Sequence, residues 1–293
     1  MPGLGASFGR GGATTAPSDL INSDAILIMG SNMAENHPVG FQWVIEARER
    51  GAKVIHVDPR FSRTSAVADI WAPLRAGSDI LFLGGLIHYV LENEKDFREY
   101  VIHYTNASIV LPEEFKDTED LEGVFSGWDA DNRRYDTSTW LYGACIQGGR
   151  AAPKSAGPHS GHCKEGGGTA GDLRDCQCDP TLSHPRCVYQ VLKRHYARYT
   201  PELVEQFCGV PRERFLKIAE TFCSASGPEK TGAICYALGW TQQSKGPQIV
   251  RAAAILQLLL GNIGRPGGGI LALRGACLDS RFNRYPDSLR HSA

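Results

Sequence analysis

Two short apolar runs bracket an amphipathic stretch near the amino end of this chain, and they organise the reading of the rest. Ala25-Ile26-Leu27-Ile28-Met29 is unbroken apolar sequence that stops at Gly30, as expected of a parallel strand buried on both faces. Over residues 38–50, Val39, Trp43, Val44 and Ala47 recur at helical spacing, and Pro38 suits the first helical turn. Gly51 ends that helix. Lys53-Val54-Ile55-His56-Val57 then reads as a second strand, closed by Asp58-Pro59-Arg60. Strand, helix and strand make a βαβ unit, whose crossover is expected to be right-handed.

The same alternation continues downstream. A helix is predicted from Ser78 or Asp79, either of which suits a cap, to about Glu94. Residues 185–199, 201–207 and 211–224 carry helical spacing, 231–238 reads as a buried strand, and 247–260 is a strongly apolar helix. The predicted fold class is therefore α/β, an open and mostly parallel sheet flanked by helices. Residues 143–179 show no period and read as a loop, and the polar tail 276–293 has no pattern that would complete a core.

Composition narrows the class without naming a function. The chain has 293 residues, 42% hydrophobic and 22% charged, with a net charge of -1, which excludes a strongly basic nucleic-acid binder, a coiled coil and a collagen-like chain. No apolar run reaches the roughly 18 residues of a membrane span, so no direct membrane span and no nucleic-acid partner are expected. The first residues lack the charged-then-apolar pattern of a signal peptide. Of nine cysteines, Cys208, Cys223 and Cys235 sit singly among apolar residues and read as small buried hydrophobes. Cys145, Cys163, Cys176, Cys178 and Cys187 cluster with His162 and His184, which fits either a zinc site or an irregular glycine-rich insertion. Paired C-x2-C knuckles are absent from that spacing.

In an open α/β sheet, ligands bind beyond the carboxyl ends of the strands. Three loops fall there: Gly30-Ser31-Asn32, Asp58-Pro59-Arg60 and Gly239-Trp240-Thr241-Gln242. Glycine lets backbone approach a phosphate, Asp58 suits a ribose or base edge, and Arg60 offers a planar fork to phosphate. The plainer alternative is that these glycines only turn the chain and Asp58 caps a helix. The G-x-G-x-x-G fingerprint of NAD sites is missing. His37, His56, His88 and His103 are scattered and read singly as structural or surface histidines.

Longer motifs are more specific. The runs MGSNMAENHPVGFQW (29–43), GAKVIHVDPRFSRTSAVADIWAPLRAGSDI (51–80) and YALGWTQQSKGPQIVRAAAILQLLLGNIGRPGGGILALRG (236–275) resemble molybdopterin oxidoreductases of the formate dehydrogenase type. The likeness is to the catalytic (alpha) subunit of respiratory formate dehydrogenases, over roughly residues 7–142 and 179–275. That resemblance implies molybdopterin guanine dinucleotide bearing molybdenum or tungsten, with Gly30, Ser31, Asn32, Glu35 and His37 lining one dinucleotide. It implies further that Asp58, Arg60, Gly77 and Asp79 meet its nucleotide end and that Gly239, Trp240, Thr241 and Gln242 line the pterin side. Arg274 falls on the family's formate-orienting arginine, a role that suits a guanidinium facing a carboxylate. The implied reaction is oxidation of formate to carbon dioxide. Its electrons would pass through iron–sulfur clusters to a beta subunit, and in respiratory forms through a cytochrome b (gamma) subunit toward quinone, in the periplasm.

Two of the family's features have no counterpart here. The four-cysteine [4Fe-4S] segment and the selenocysteine or cysteine metal ligand are missing, because none of the nine cysteines precedes Cys145. Met1 is therefore expected to be an artefactual start within a longer selenoprotein, just downstream of a recoded stop codon. On this reading 1–142 is a guanine dinucleotide-binding part, 143–178 an insertion, 179–275 a continuation of the same domains, and 276–293 an unmatched tail. The chain is then an incomplete set of central domains, inactive alone, and ligates no metal itself. Another molybdopterin oxidoreductase, such as a nitrate reductase, and a non-catalytic nucleotide-binding module are the alternatives.

Overall fold

The computed structural model describes residues 2–9, 11–136 and 177–273. The chain divides into two compact units, one of residues up to Leu86 together with those from Pro201 onward, the other spanning Ile87–Thr200.

The first unit is built on a five-stranded sheet. Its strands are β1 (Ala25–Met29), β2 (Lys53–Val57), β3 (Ile70–Ala72), β6 (Gly232–Tyr236) and β7 (Gly269–Ala272). They lie in the order β3-β2-β1-β6-β7 and every adjacent pair is parallel. All five residues of β1 and all five of β6 are buried, which is why these strands are continuous apolar runs rather than alternating ones. Chain order runs outward from β1 in both directions, so the β1/β6 boundary is the topological switch point.

Helices cover both faces. Ile26, Ile28, Val54, Ala233, Cys235 and Leu271 pack with Phe41, Val44 and Ala47 of the helix Pro38–Glu49 (α3). This departs from the predicted apolar side, because Val39 is 77% exposed in the first turn and Phe41 takes its place against the sheet. Elsewhere in the unit, Phe82 of α5 (Asp79–Glu92) meets Phe215 edge-on at 5.4 Å. Cys208, Cys223 and Cys235 are buried, and burial pushes the Cys235 thiol up to about 12. At the amino ends of β6 and β7, the buried Gln257 amide donates to Gly232 O (2.9 Å) and Gly269 O (2.6 Å). That satisfies sheet-end carbonyls which would otherwise be stranded in the core.

The second unit contains α6 (Arg98–Tyr104), a hairpin of β4 (Trp128–Asp129) with β5 (Arg134–Tyr135), and α7 (Val188–Tyr196). Arg194 of α7 pairs with Asp117 and, at 3.2 Å, with Asp120, while Arg198 and His195 both reach Glu119. Most of the predicted insertion, Cys145, Cys163, Cys176 and His162 included, lies outside the described residues, as do Arg274 and the tail. No helix among the described residues is long and apolar enough to cross a membrane.

Candidate functional site

The switch point is closed by two glycines packed backbone to backbone. Gly30 follows β1 with φ +62°, and Gly239 N–H donates to Gly30 O at 3.0 Å. A Cβ on Gly239 would lie 2.6 Å from Gly30 Cα, and one on Gly30 would lie 2.8 Å from Trp240 Cδ1. No side chain larger than hydrogen fits at either position without moving the loops apart.

Trp240 belongs to a four-residue helical turn, α10 (Leu238–Thr241), where the sequence pattern predicts the strand to run on to residue 238. Its indole is fully buried, stacks on Tyr236 at 5.0 Å and donates from Nε1 to Asp79 Oδ1 at 3.1 Å. Gln243 Nε2 donates to Asp79 Oδ2 at 2.7 Å and to Gly239 O at 2.7 Å. Asp79, predicted as a helix cap or nucleotide contact, thus turns its carboxylate to α10. Burial pushes that carboxyl above its ordinary range, against the lowering effect of the Gln243 and Trp240 hydrogen bonds. Beside it, Gly239, Thr241 and Gln242 are exposed, and so is Gly77.

On the other side of β1, the exit loop is braced from β2 and α4 (Arg63–Val67). Thr64 Oγ1 donates to Asn32 Oδ1 at 2.9 Å and accepts from Ala34 N at 3.0 Å. His56 is buried between Ser65 Oγ (2.8 Å) and Ser31 O (3.1 Å), and burial lowers its pKa although Asp58 pulls the other way. His37 is half-buried at the start of α3, and burial lowers its pKa as well. Asn32 also donates to Glu35, which pairs with Arg63 at 3.4 Å and Arg60 at 4.0 Å. Asp58 caps no helix: its Oδ1 accepts from Arg60 N at 2.9 Å within its own loop.

Ser31 carries the polar atom that most suits a ligand. The residue is 5% exposed and its Oγ has no hydrogen-bond partner among the described residues. A buried hydroxyl left unpaired costs about 1–3 kcal/mol, which a ligand with donor and acceptor groups relieves. The edge therefore offers an orphaned hydroxyl, exposed backbone at Gly239 and two guanidinium groups, a donor set that fits a phosphate-bearing nucleotide. Among the described residues, no group of three or more His, Cys, Asp or Glu side chains is placed to hold a metal ion.

The structure brings together Gly30, Asp79, Gly239 and Trp240, and separately Asn32, Glu35 and Arg60. Four further contributors were not among the residues singled out from sequence: Thr64, Ser65, Gln243 and Arg63. Thr64 and Ser65 follow the DPR turn in the same motif, and Gln243 follows Gln242, so their positions were visible but their partners were not.

Comparison with known proteins agrees with this architecture. The chain is 46% identical over 272 residues to formate dehydrogenase subunit alpha of Megalodesulfovibrio gigas, covering 93% of this chain and 24% of that protein. It is 48% identical over 272 residues to the formate dehydrogenase major subunit of Haemophilus influenzae, again 93% of this chain and 24% of the relative. The chain thus spans about a quarter of the length of these curated relatives. Among solved structures, acetylene hydratase from Pelobacter acetylenicus superposes with TM-score 0.50 at 18% identity, over 87% of this chain and 25% of that one, a likeness of fold. The sequence pattern described as molybdopterin oxidoreductase matches residues 5–284, a span that takes in every strand of the sheet and every loop at its carboxyl edge. The chain belongs to the molybdopterin oxidoreductase family.

Proposed function

We propose that this chain is part of the catalytic subunit of a formate dehydrogenase, and that the carboxyl edge of its sheet holds one molybdopterin guanine dinucleotide. The observation that carries the reading is the 44–48% identity to formate dehydrogenase alpha and major subunits over 93% of the chain. When bound, the dinucleotide supplies a molybdenum or tungsten centre that accepts the two electrons leaving formate as carbon dioxide and a proton form.

The chain's own residues bind and orient. Gly30 and Gly239 keep the β1 and β6 exits close enough for backbone to meet the ligand, and Ser31 Oγ supplies an unpaired hydroxyl. Asn32 and Glu35 line the same side, with His37 beyond them, while Arg60 and the neighbouring Arg63 offer guanidinium groups to phosphate. Asp58 faces the nucleotide end with Gly77, whereas Gly239, Thr241 and Gln242 present the surface toward the pterin over the buried Trp240 and Asp79. Arg274, outside the described residues, is assigned to formate. The whole enzyme is a selenoprotein of anaerobic respiration. Its [4Fe-4S] cluster lies outside this chain, and beta and gamma subunits carry electrons to quinone from the periplasmic side.

The test is to purify the enzyme encoded by the complete gene with its partner subunits and assay it with a viologen dye. Formate-dependent dye reduction is expected, together with release of guanosine monophosphate on acid hydrolysis. Nitrate reduction without formate oxidation would replace formate dehydrogenase by another member of the family. Absence of both activities and of the nucleotide would favour a non-catalytic module.

A further inference from the structure

We propose that His56 is a positioning residue: its neutral imidazole locks the exit loop of β1 in the orientation that offers Ser31 and Asn32 to a guanine dinucleotide. The proposal rests on the reading of the site above, and concerns a residue that itself touches no ligand.

His56 sits one residue before the end of β2, level with Ile28 of β1 and Trp71 of β3, and is fully buried. The sheet face around it is apolar, with Ile26, Ile28 and Val54 packed against α3. An aliphatic residue would fill that place at lower desolvation cost, so what the imidazole adds is its two hydrogen bonds. Nε2 lies 3.1 Å from Ser31 O, and a carbonyl can only accept, so Nε2 carries the proton. Nδ1 is then an acceptor and receives the Ser65 hydroxyl proton at 2.8 Å. Ser65 Oγ in turn accepts from Ser62 N–H at 2.9 Å.

The result is a directional relay from the start of α4 through β2 to the β1 exit. Each member fixes the next one's donor and acceptor roles. Thr64 runs a second brace beside it, from α4 to Asn32 and Ala34. Between the two braces the Ser31 carbonyl is held by His56 and its hydroxyl stays buried without a partner among the described residues. A loop free to turn would satisfy that hydroxyl internally, so the His56 bond is what preserves it for a ligand.

The experiment uses the complete enzyme with its partner subunits, as wild type and as His56→Gln, His56→Asn and His56→Leu. Glutamine carries an amide N–H out to the Ser31 carbonyl, asparagine reaches only toward Ser65, and leucine makes neither bond. Guanosine monophosphate released by acid hydrolysis is measured per folded chain, alongside hydrogen exchange of residues 30–36. His56→Gln is expected to stay within about twofold of wild type in nucleotide. Asparagine and leucine are expected to lose it about fivefold or more, with faster exchange confined to 30–36. Should leucine fail to fold, the Gln/Asn pair decides. Full nucleotide content in His56→Asn, or equal loss in all three variants, would overturn the proposal and leave His56 a packing residue. A wild-type enzyme that releases no nucleotide would sink the guanine dinucleotide reading instead, and the exchange of 30–36 would still judge the lock.

Discussion

Around Trp240 and around Arg194, polar side chains are held in different ways. At Trp240 the contacts are buried or half-buried and join neutral donors to a single carboxylate: an indole and an amide donate to Asp79, and two glycine backbones touch. At Arg194, in the other unit, whole charges meet: the half-exposed guanidinium bridges the buried Asp117 and the exposed Asp120, whose side chain is 42% exposed. The first region depends on shape and on pairing the Asp79 carboxylate with its neutral donors. The second depends on Coulomb attraction that water and salt weaken. A site that must hold a ligand to a fraction of an ångström is built the first way.

Substitutions should break this contrast in order of size. Gly239→Val drives a Cβ into Gly30, and is expected to cost about 3 kcal/mol. Hydrogen exchange of residues 25–36 and 232–241 in the complete enzyme would show it, and unchanged exchange there would remove the glycine contact from the account. Trp240→Phe keeps the stacking on Tyr236 but strips a donor from the buried Asp79, at about 2 kcal/mol. Combining it with Asp79→Asn should recover part of that loss, as partners in one network do.

A pH series sharpens the comparison. The folded pKa of His56 lies below its ordinary 6.5, so the folded chain binds that proton less readily than the unfolded one. Its stability is therefore intact above pH 6.5 and is lost as pH falls below that value, at a limiting slope of about 1.4 kcal/mol per pH unit. Comparing His56→Gln with wild type isolates this contribution, because the variant does not titrate there. Asp79 acts in the opposite sense: its raised pKa makes the native state less favourable as pH climbs from 3.8 through the folded value. The smallest effect belongs to Asp120→Asn, which removes only the exposed arm of the Arg194 cluster and is expected at about 0.5–1 kcal/mol at low salt. Exchange of α7 amides should show the difference shrinking in about 1 M salt, while the Trp240 effect persists.

Much of the first unit was legible because its strands are buried on both faces. β1 and β2 have the predicted bounds, and α3 begins at Pro38 as expected. β3 and β7 escaped because three and four residues are too few to show a period. The end of β6 was overrun because Ala237 and Leu238 extend the apolar run into α10. The site loops were legible by their place beyond the strand ends. The network inside them was not, since nothing in the spacing joins Asp79 to Trp240 across 161 positions or sets the tautomer of His56. Hydrogen-bond partners distant in sequence are fixed by the fold, and appear only once it is known.

In the proposed function, the carboxyl edge at the β1/β6 switch point holds the nucleotide of the cofactor. A crystal or cryo-electron-microscopy structure of the complete, loaded enzyme tests it most directly. A guanine nucleotide is expected over Gly30–Asn32, with the Ser31 hydroxyl bonded to it and Arg60 or Arg63 on its phosphates. A nucleotide bound elsewhere, with Ser31 Oγ still unpaired, would contradict it.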